Sequence, residues 1–152
     1  MEMVKTNRKE KTEISGNNSM NKKEHQDFRS QWGFKEPWIG VDLDGTLAQS
    51  ISWQGYEHIG EPIPKMLRRV KRWLQQGKRI KIFTSRVEVG ETGIIPIRFW
   101  LDKHGLPFGL EITNIKDSGM AELWDDLAVK VEANTGKTCC RYKKNWKVKI
   151  VY

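Results

Sequence analysis

Asp42 and Asp44 stand two residues apart, directly ahead of Gly45-Thr46. If the apolar run before them is a strand that ends there, both side chains project into one pocket and the glycine lets the backbone turn sharply. Two neighbouring carboxylates suit a divalent cation or a nucleophile paired with an acid. The same Asp-x-Asp-Gly-Thr string also fits a turn with a helix N-cap. Asp125-Asp126 is a second acidic pair, with a capping turn as its own alternative reading.

The elements that must position these groups follow from periodicity. Trp38-Ile39-Gly40-Val41 reads as a buried strand stopping at Asp42. Pro62 and Pro64 open a stretch in which Met66, Leu67, Val70, Trp73 and Leu74 recur at helical spacing, closed by Gly77. Arg79–Phe83 reads as a second strand ending in Thr84-Ser85-Arg86. A Gly-rich loop, Val89–Gly93, precedes a helix over Ile94–His104 with Gly105 at its end. Leu110–Thr113 is a third strand, Lys116–Gly119 a turn, and Leu123-Trp124 and Ala128–Val131 are two further short strands. Strands alternating with covering helices imply a Rossmann-like, three-layer α/β domain with a central, mostly parallel sheet, whose active residues gather at the carboxyl ends of strands. Asp42, Asp44, Thr84, Lys116 and Asp125-Asp126 all fall at or just past such ends.

Trp38-Ile39-Gly40-Val41-Asp42-Leu43-Asp44-Gly45-Thr46-Leu47 resembles the first signature of the haloacid dehalogenase-like phosphohydrolase superfamily. The other signatures follow in order: Ile80-Lys81-Ile82-Phe83-Thr84 is similar to the strand ending in Thr or Ser, Lys116 to the lysine, and Glu122-Leu123-Trp124-Asp125-Asp126 to the acidic pair after a short strand. Gly60-Glu61-Pro62-Ile63-Pro64 and Glu111–Asp117 resemble a small, uncapped bacterial and phage branch. Leu127 departs from that branch, where a basic residue is expected.

The resemblance implies a phosphatase in which Asp42 attacks phosphorus to form an aspartyl-phosphate. Asp44 would protonate the leaving oxygen and then take a proton from the hydrolytic water. Thr84 would hold a phosphoryl oxygen and Lys116 would offset the accumulating charge, while Gly45, Thr46, Ser85 and Arg86 are candidates for substrate binding. Arg86 could reach a second substrate phosphate or pair with Glu88. Carboxylates gathered from Asp42, Asp44 and Asp125 would repel one another without a cation, and hard oxygen ligands suit Mg²⁺. The expected ligands are Asp42, the Asp44 backbone carbonyl and Asp125, with Asp126 direct or through water.

No cap domain fits in the span 48–60 or between Arg86 and Leu110. The expected site is therefore open, accepting bulky phosphorylated substrates such as nucleic-acid ends, or covered by a second copy of the chain. The net charge is +8, yet residues 37–136 hold 13 basic and 13 acidic residues, while 137–152 hold six basic and no acidic ones. Lys65–Lys81 contains eight Lys and Arg without an acid, and the last segment interleaves its cations with Tyr142 and Trp146. Both mixtures suit nucleic acid, and both also suit a solvated helix face and an edge strand guarded by lysines. The expected function is Mg²⁺-dependent phosphomonoester hydrolysis. A nucleotidase or polynucleotide-end phosphatase is the alternative enzyme, and a nucleic-acid-binding protein with an idle site is the alternative of another class.

Segment 1–34 is polar, of mixed charge, and is expected to be a disordered tail ahead of a domain over 35–136, with 137–152 as a basic extension. Gly136-Lys137-Thr138 lacks the earlier glycine of a phosphate-binding loop, because Val131 stands there. His25, His58 and His104 have no metal-ligand spacing. Cys139 and Cys140 are adjacent and neither staple a fold nor build a zinc cage; they are expected to be half-buried thiols. With no apolar run of membrane length and no apolar segment near Met1, no membrane partner and a cytoplasmic location are expected.

Overall fold

The computed structural model describes Gly33 and residues 35–139. The rest of the polar segment 1–34, and residues 140–152 with Cys140, Tyr142 and Trp146, lie outside the described residues.

Strand β1 spans Trp38–Asp42, four of its five residues buried. Helix α1, Pro64–Gln75, begins with proline at a position whose N–H needs no partner, and buries Met66, Val70 and Trp73 along one stripe. Strand β2, Ile80–Phe83, leads into a 3₁₀ helix, Ser85–Val89. Helix α2, Glu91–Lys103, starts three residues ahead of the expected Ile94, because Gly90 at φ +63° breaks the chain there. Strands β3, Glu111–Thr113, and β4, Met120–Trp124, complete the set.

The sheet is parallel throughout, in the order β3-β2-β1-β4. Both βαβ steps, β1 to β2 and β2 to β3, move the same way across it, so right-handed crossovers put both helices on one face. The core agrees: Ile39, Val41, Ile80 and Ile82 point one way and pack with Met66, Val70, Trp73, Ile97, Trp100 and Leu101. Burying a side chain such as Val70 or Leu101 contributes about 1.5–3 kcal/mol.

Alternation sends Trp38 and Lys81 to the opposite face. There the buried Lys81 ammonium pairs with Glu111, lies 3.7 Å from Asp117 and sits 4.3 Å from the centre of the Trp38 ring. Asp117 also accepts from Trp38 Nε1 at 2.7 Å and from Lys35 Nζ at 3.0 Å. The Trp38 hydrogen bond, with Lys35 and the Gly119 N–H adding to it, holds the Asp117 carboxyl well below the usual range. The Lys81 hydrogen bond lowers that of Glu111.

Residues 114–119 run from the carboxyl end of β3 to the amino end of β4, across two intervening strands. Three strand spacings are about 14 Å, and about seven extended steps reach some 23–25 Å, so the segment must travel nearly straight and has no length for a helix. Helices, sheet and this connection form the three layers of a Rossmann-like α/β arrangement.

Two expectations need correction. Ala128–Val131 is not a strand: Asp125 Oδ1 accepts the N–H groups of Leu127 at 2.7 Å and Ala128 at 2.9 Å, which turns the chain out of the sheet. Leu127 is 85% exposed as a result, and only Val131 makes a bridge, with Thr138. Cys139 is exposed and free rather than half-buried, standing beside that bridge with its N–H on Lys130 O. Among the described residues no helix is long and apolar enough to cross a membrane.

Candidate active site

The chain leaves β1 through a tight loop in which Leu47 and Ala48 N–H groups return to Leu43 O at 3.0 and 2.8 Å, and Gly45 N–H reaches Ala48 O at 2.8 Å. Gly45 sits at φ +91°, and a Cβ there would lie 2.6 Å from an Asp126 carboxylate oxygen. Backbone conformation and the approach of Asp126 both demand glycine. Asp126 N–H donates to Thr46 Oγ1 at 3.0 Å and the Thr46 hydroxyl to Asp126 Oδ1 at 3.3 Å, so the loops after β1 and β4 are tied together.

Asp42 lies inside this junction. Burial first, the charge of Asp125 next and that of Asp126 least push its carboxyl up to about 7, against the opposing hydrogen bonds of the Thr46 hydroxyl and the Leu43 N–H. Asp125 is thus the acid whose charge Asp42 feels more strongly. No ion pair among the described residues involves Asp42, Asp125 or Asp126. The three carboxylates crowd one place with no cation from the protein to offset them.

Asp44, two residues on, faces elsewhere. Its two oxygens accept from Arg86 Nε and Nη2, each at 2.7 Å. Arg86 is 3% exposed and gives two further N–H groups to Tyr56 O at 2.7 Å and His58 O at 2.9 Å. Such a fork-on-fork pair fixes both planes. Neither sequence reading of Arg86 describes this: its carboxylate partner is Asp44 rather than Glu88, and its guanidinium is buried in the protein rather than presented to a second phosphate. Adjacency in sequence favoured Glu88, whereas the contact spans the whole crossover connection from β1 to β2. The 3₁₀ helix that aims Arg86 is capped by Thr84, whose buried Oγ1 accepts from Arg86 N–H at 3.3 Å. The Thr84 hydroxyl keeps its own proton for another acceptor, and its backbone N–H holds the sheet closed on Thr113 O at 2.9 Å. Close packing continues at Gly93, where a Cβ would run into Arg86 O.

Asp42, Asp44, Gly45, Thr46, Thr84, Arg86, Asp125 and Asp126 are therefore linked at the carboxyl end of β1, β2 and β4. Ser85 is exposed beside them. Lys116 is not part of the linked set: it is exposed on the β3–β4 connection, without an ion pair among the described residues. The buried lysine is Lys81, which belongs to the opposite face and to structure. The buried Arg86–Asp44 pair has no signal in the sequence beyond a basic residue close to a strand end.

No group of three or more His, Cys, Asp or Glu side chains is arranged to hold a metal ion among the described residues. The Asp44 carboxylate is turned to Arg86 and Asp125 Oδ1 already accepts two backbone N–H groups, which leaves Asp42, the second Asp125 oxygen and the Asp44 carbonyl as the direct donors, with Asp126 beside them to act directly or through water. One or two carboxylates with retained water is the ordinary set for Mg²⁺. The uncompensated charge around Asp42 fits such an ion.

No protein-family model matches the chain, and no curated protein matches it. Among solved structures it is similar to a conserved protein of Bacteroides thetaiotaomicron, with 26% identity over 62% of this chain and 79% of that one and a TM-score of 0.47.

Proposed function

We propose that the chain is a phosphomonoester hydrolase of the haloacid dehalogenase-like kind, dependent on Mg²⁺ and acting through Asp42. The supporting observation is the burial of Asp42 at the carboxyl end of a parallel sheet, with Asp125 and then Asp126 beside it, which together push the Asp42 carboxyl up to about 7. A carboxylate in that setting is a strong nucleophile once its charge is compensated.

An Asp42 oxygen attacks phosphorus as the bond from phosphorus to the leaving oxygen breaks. That oxygen takes a proton from Asp44. Water then attacks phosphorus, its proton passes to Asp44, inorganic phosphate departs and the Asp42 carboxylate is restored. Asp44 carries the proton only when one of its two bonds to Arg86 opens, and the bonds from Arg86 to Tyr56 and His58 keep the guanidinium in place meanwhile. The Thr84 hydroxyl is available to donate to a phosphoryl oxygen. Lys116 would have to swing from its exposed position to contribute charge. When bound, Mg²⁺ would supply positive charge to Asp42, Asp125 and the phosphoryl oxygens.

The purified protein is expected to hydrolyse an aryl phosphate with Mg²⁺ and to stop in EDTA. Asp42→Asn should lower kcat about a thousandfold or more; undiminished turnover in that variant overturns the assignment. A second reading, nucleic-acid binding with an idle site, draws on the cationic groove along α1 formed by Lys65, Arg68, Arg69, Lys71 and Arg72. No ion pair among the described residues neutralises any of the five.

A further inference from the structure

Between Asp44 and the loop over residues 49–61 lies a cavity of about 250 Å³, lined by Asp44, Gln49, Ile51, Trp53, His58 and Arg86 among others. The loop has no regular secondary structure, yet it is tied down at four places. Gln49 N–H meets Glu61 O at 2.8 Å, Trp100 Nε1 meets Gly60 O at 2.8 Å, and Arg86 holds Tyr56 O and His58 O. A pinned loop keeps its side chains where they are. Its apolar residues nonetheless face solvent: Trp53 is 61% exposed and Ile51 96%.

The Trp53 ring is held in orientation. Arg86 Cζ lies 4.9 Å from its centre, and the Tyr56 ring meets it edge-on at 4.8 Å and 81°. A guanidinium under an indole fixes the ring by cation–π attraction. The same guanidinium grips the carboxylate that would protonate a leaving group, so Trp53 and Asp44 are placed relative to one another by a single buried residue. Ligand pockets run to about 300–1,000 Å³, and this smaller cavity, which reaches Asp44 at one end, has room for one ring system rather than a folded polymer end.

We infer that this cavity seats the leaving group of the phosphomonoester, and that its chemistry is a planar heteroaromatic ring, as in a nucleoside, stacked on Trp53. The inference rests on Asp44 acting as the acid at the phosphoryl site. Stacking on an aromatic side chain is tolerant of ring identity, so purine and pyrimidine esters should both be accepted and aliphatic alcohols should not gain from the contact.

Two measurements on the full chain separate this from the proposed function. In the first, saturation-transfer NMR is run without metal on adenosine and on glycerol, two leaving groups without phosphate. Adenosine should show transfer and glycerol none; Trp53→Ala should abolish the adenosine signal and Trp53→Phe should retain it. Circular dichroism checks that both variants fold, as an exposed ring allows. An absent adenosine signal, or one equal in Trp53→Ala, overturns the inference. In the second, kcat/KM is compared for adenosine 5′-monophosphate and glycerol phosphate with Mg²⁺. Trp53→Ala should reduce the first about tenfold more than the second; equal effects on both overturn the inference while the phosphatase stands. If the wild type hydrolyses neither ester, the proposed function fails and the adenosine signal alone decides whether the cavity binds a ring.

Discussion

Asp42 has an ionisation that opposes folding. Its carboxyl stands near 7 in the folded protein against 3.8 for the free group, with burial as the first cause and Asp125 as the second. Between about pH 4 and pH 7 the folded chain holds a proton that the unfolded chain has released, so stability falls as pH rises through that window. In EDTA the wild type should therefore melt progressively lower from pH 4.5 to pH 8, as read by calorimetry. Asp42→Asn lacks the ionisation and should melt higher than the wild type at pH 8, with the difference closing toward pH 4. Added Mg²⁺ should narrow the difference at pH 8 by raising the wild type alone. Parallel curves for the two proteins would show that Asp42 is not held in this state. Arg86 makes the opposite contribution, because its charge is fully used. Replacing it by methionine of similar length leaves Asp44 and two carbonyls without donors, and should cost about 3–5 kcal/mol in denaturant melts. A cost below about 1 kcal/mol would show that Asp44 does not depend on it.

At the scale of elements, the 3₁₀ helix Ser85–Val89 and the start of α2 are packed so closely that Gly93→Ala drives a Cβ onto Arg86 O. The backbone must shift, and overpacking of this kind costs about 1–3 kcal/mol. Because Arg86 aims Asp44, the same substitution should lower kcat more than KM for any phosphoryl substrate, which steady-state kinetics would read; unchanged kcat would detach the 3₁₀ helix from the chemistry. What the sequence revealed at this scale and what it concealed have one physical origin. Strands β1 and β2, and the stripes of α1 and α2, are local patterns of burial, and Val41, Ile82, Val70 and Leu101 lie in the core as their spacing implies. Asp42, Asp44 and Asp125-Asp126 were legible as a group because each follows a strand of a parallel sheet. Ala128–Val131 has strand composition, but the two hydrogen bonds to Asp125 turn the chain away from the sheet edge at β4. β propensity describes fit to a pleated surface and says nothing of whether one is within reach. Arg86 with Asp44, and Lys81 with Glu111 and Asp117, are contacts across crossovers that no local spacing encodes.

For the whole molecule, charge is segregated more than it is abundant. The span 37–136 balances 13 cations with 13 acids, yet eight of those cations lie within Lys65–Lys81, and four of the acids, Asp42, Asp44, Asp125 and Asp126, stand at the carboxyl ends of β1 and β4. Five of the eight line the groove on α1, and Arg69 also stacks over Trp124 at 4.5 Å, so part of that cationic surface is held rather than freely mobile. A polyanion drawn to this face would release counterions, and the affinity for single-stranded oligonucleotides should fall as log[salt] rises, with a slope near −0.7 per phosphate engaged. Reversing two charges, Arg68→Glu with Arg72→Glu, should flatten the slope by about one to two units in fluorescence anisotropy and leave aryl phosphate hydrolysis intact, because neither residue touches the carboxylate cluster. Binding that ignores both salt and the substitutions would leave α1 a solvated helix face and the molecule a phosphatase of small esters. Retained binding with Asp42→Asn turning over as fast as the wild type would favour the nucleic-acid reading over the enzymatic one. The two activities, if both exist, are read by separate substitutions on separate surfaces.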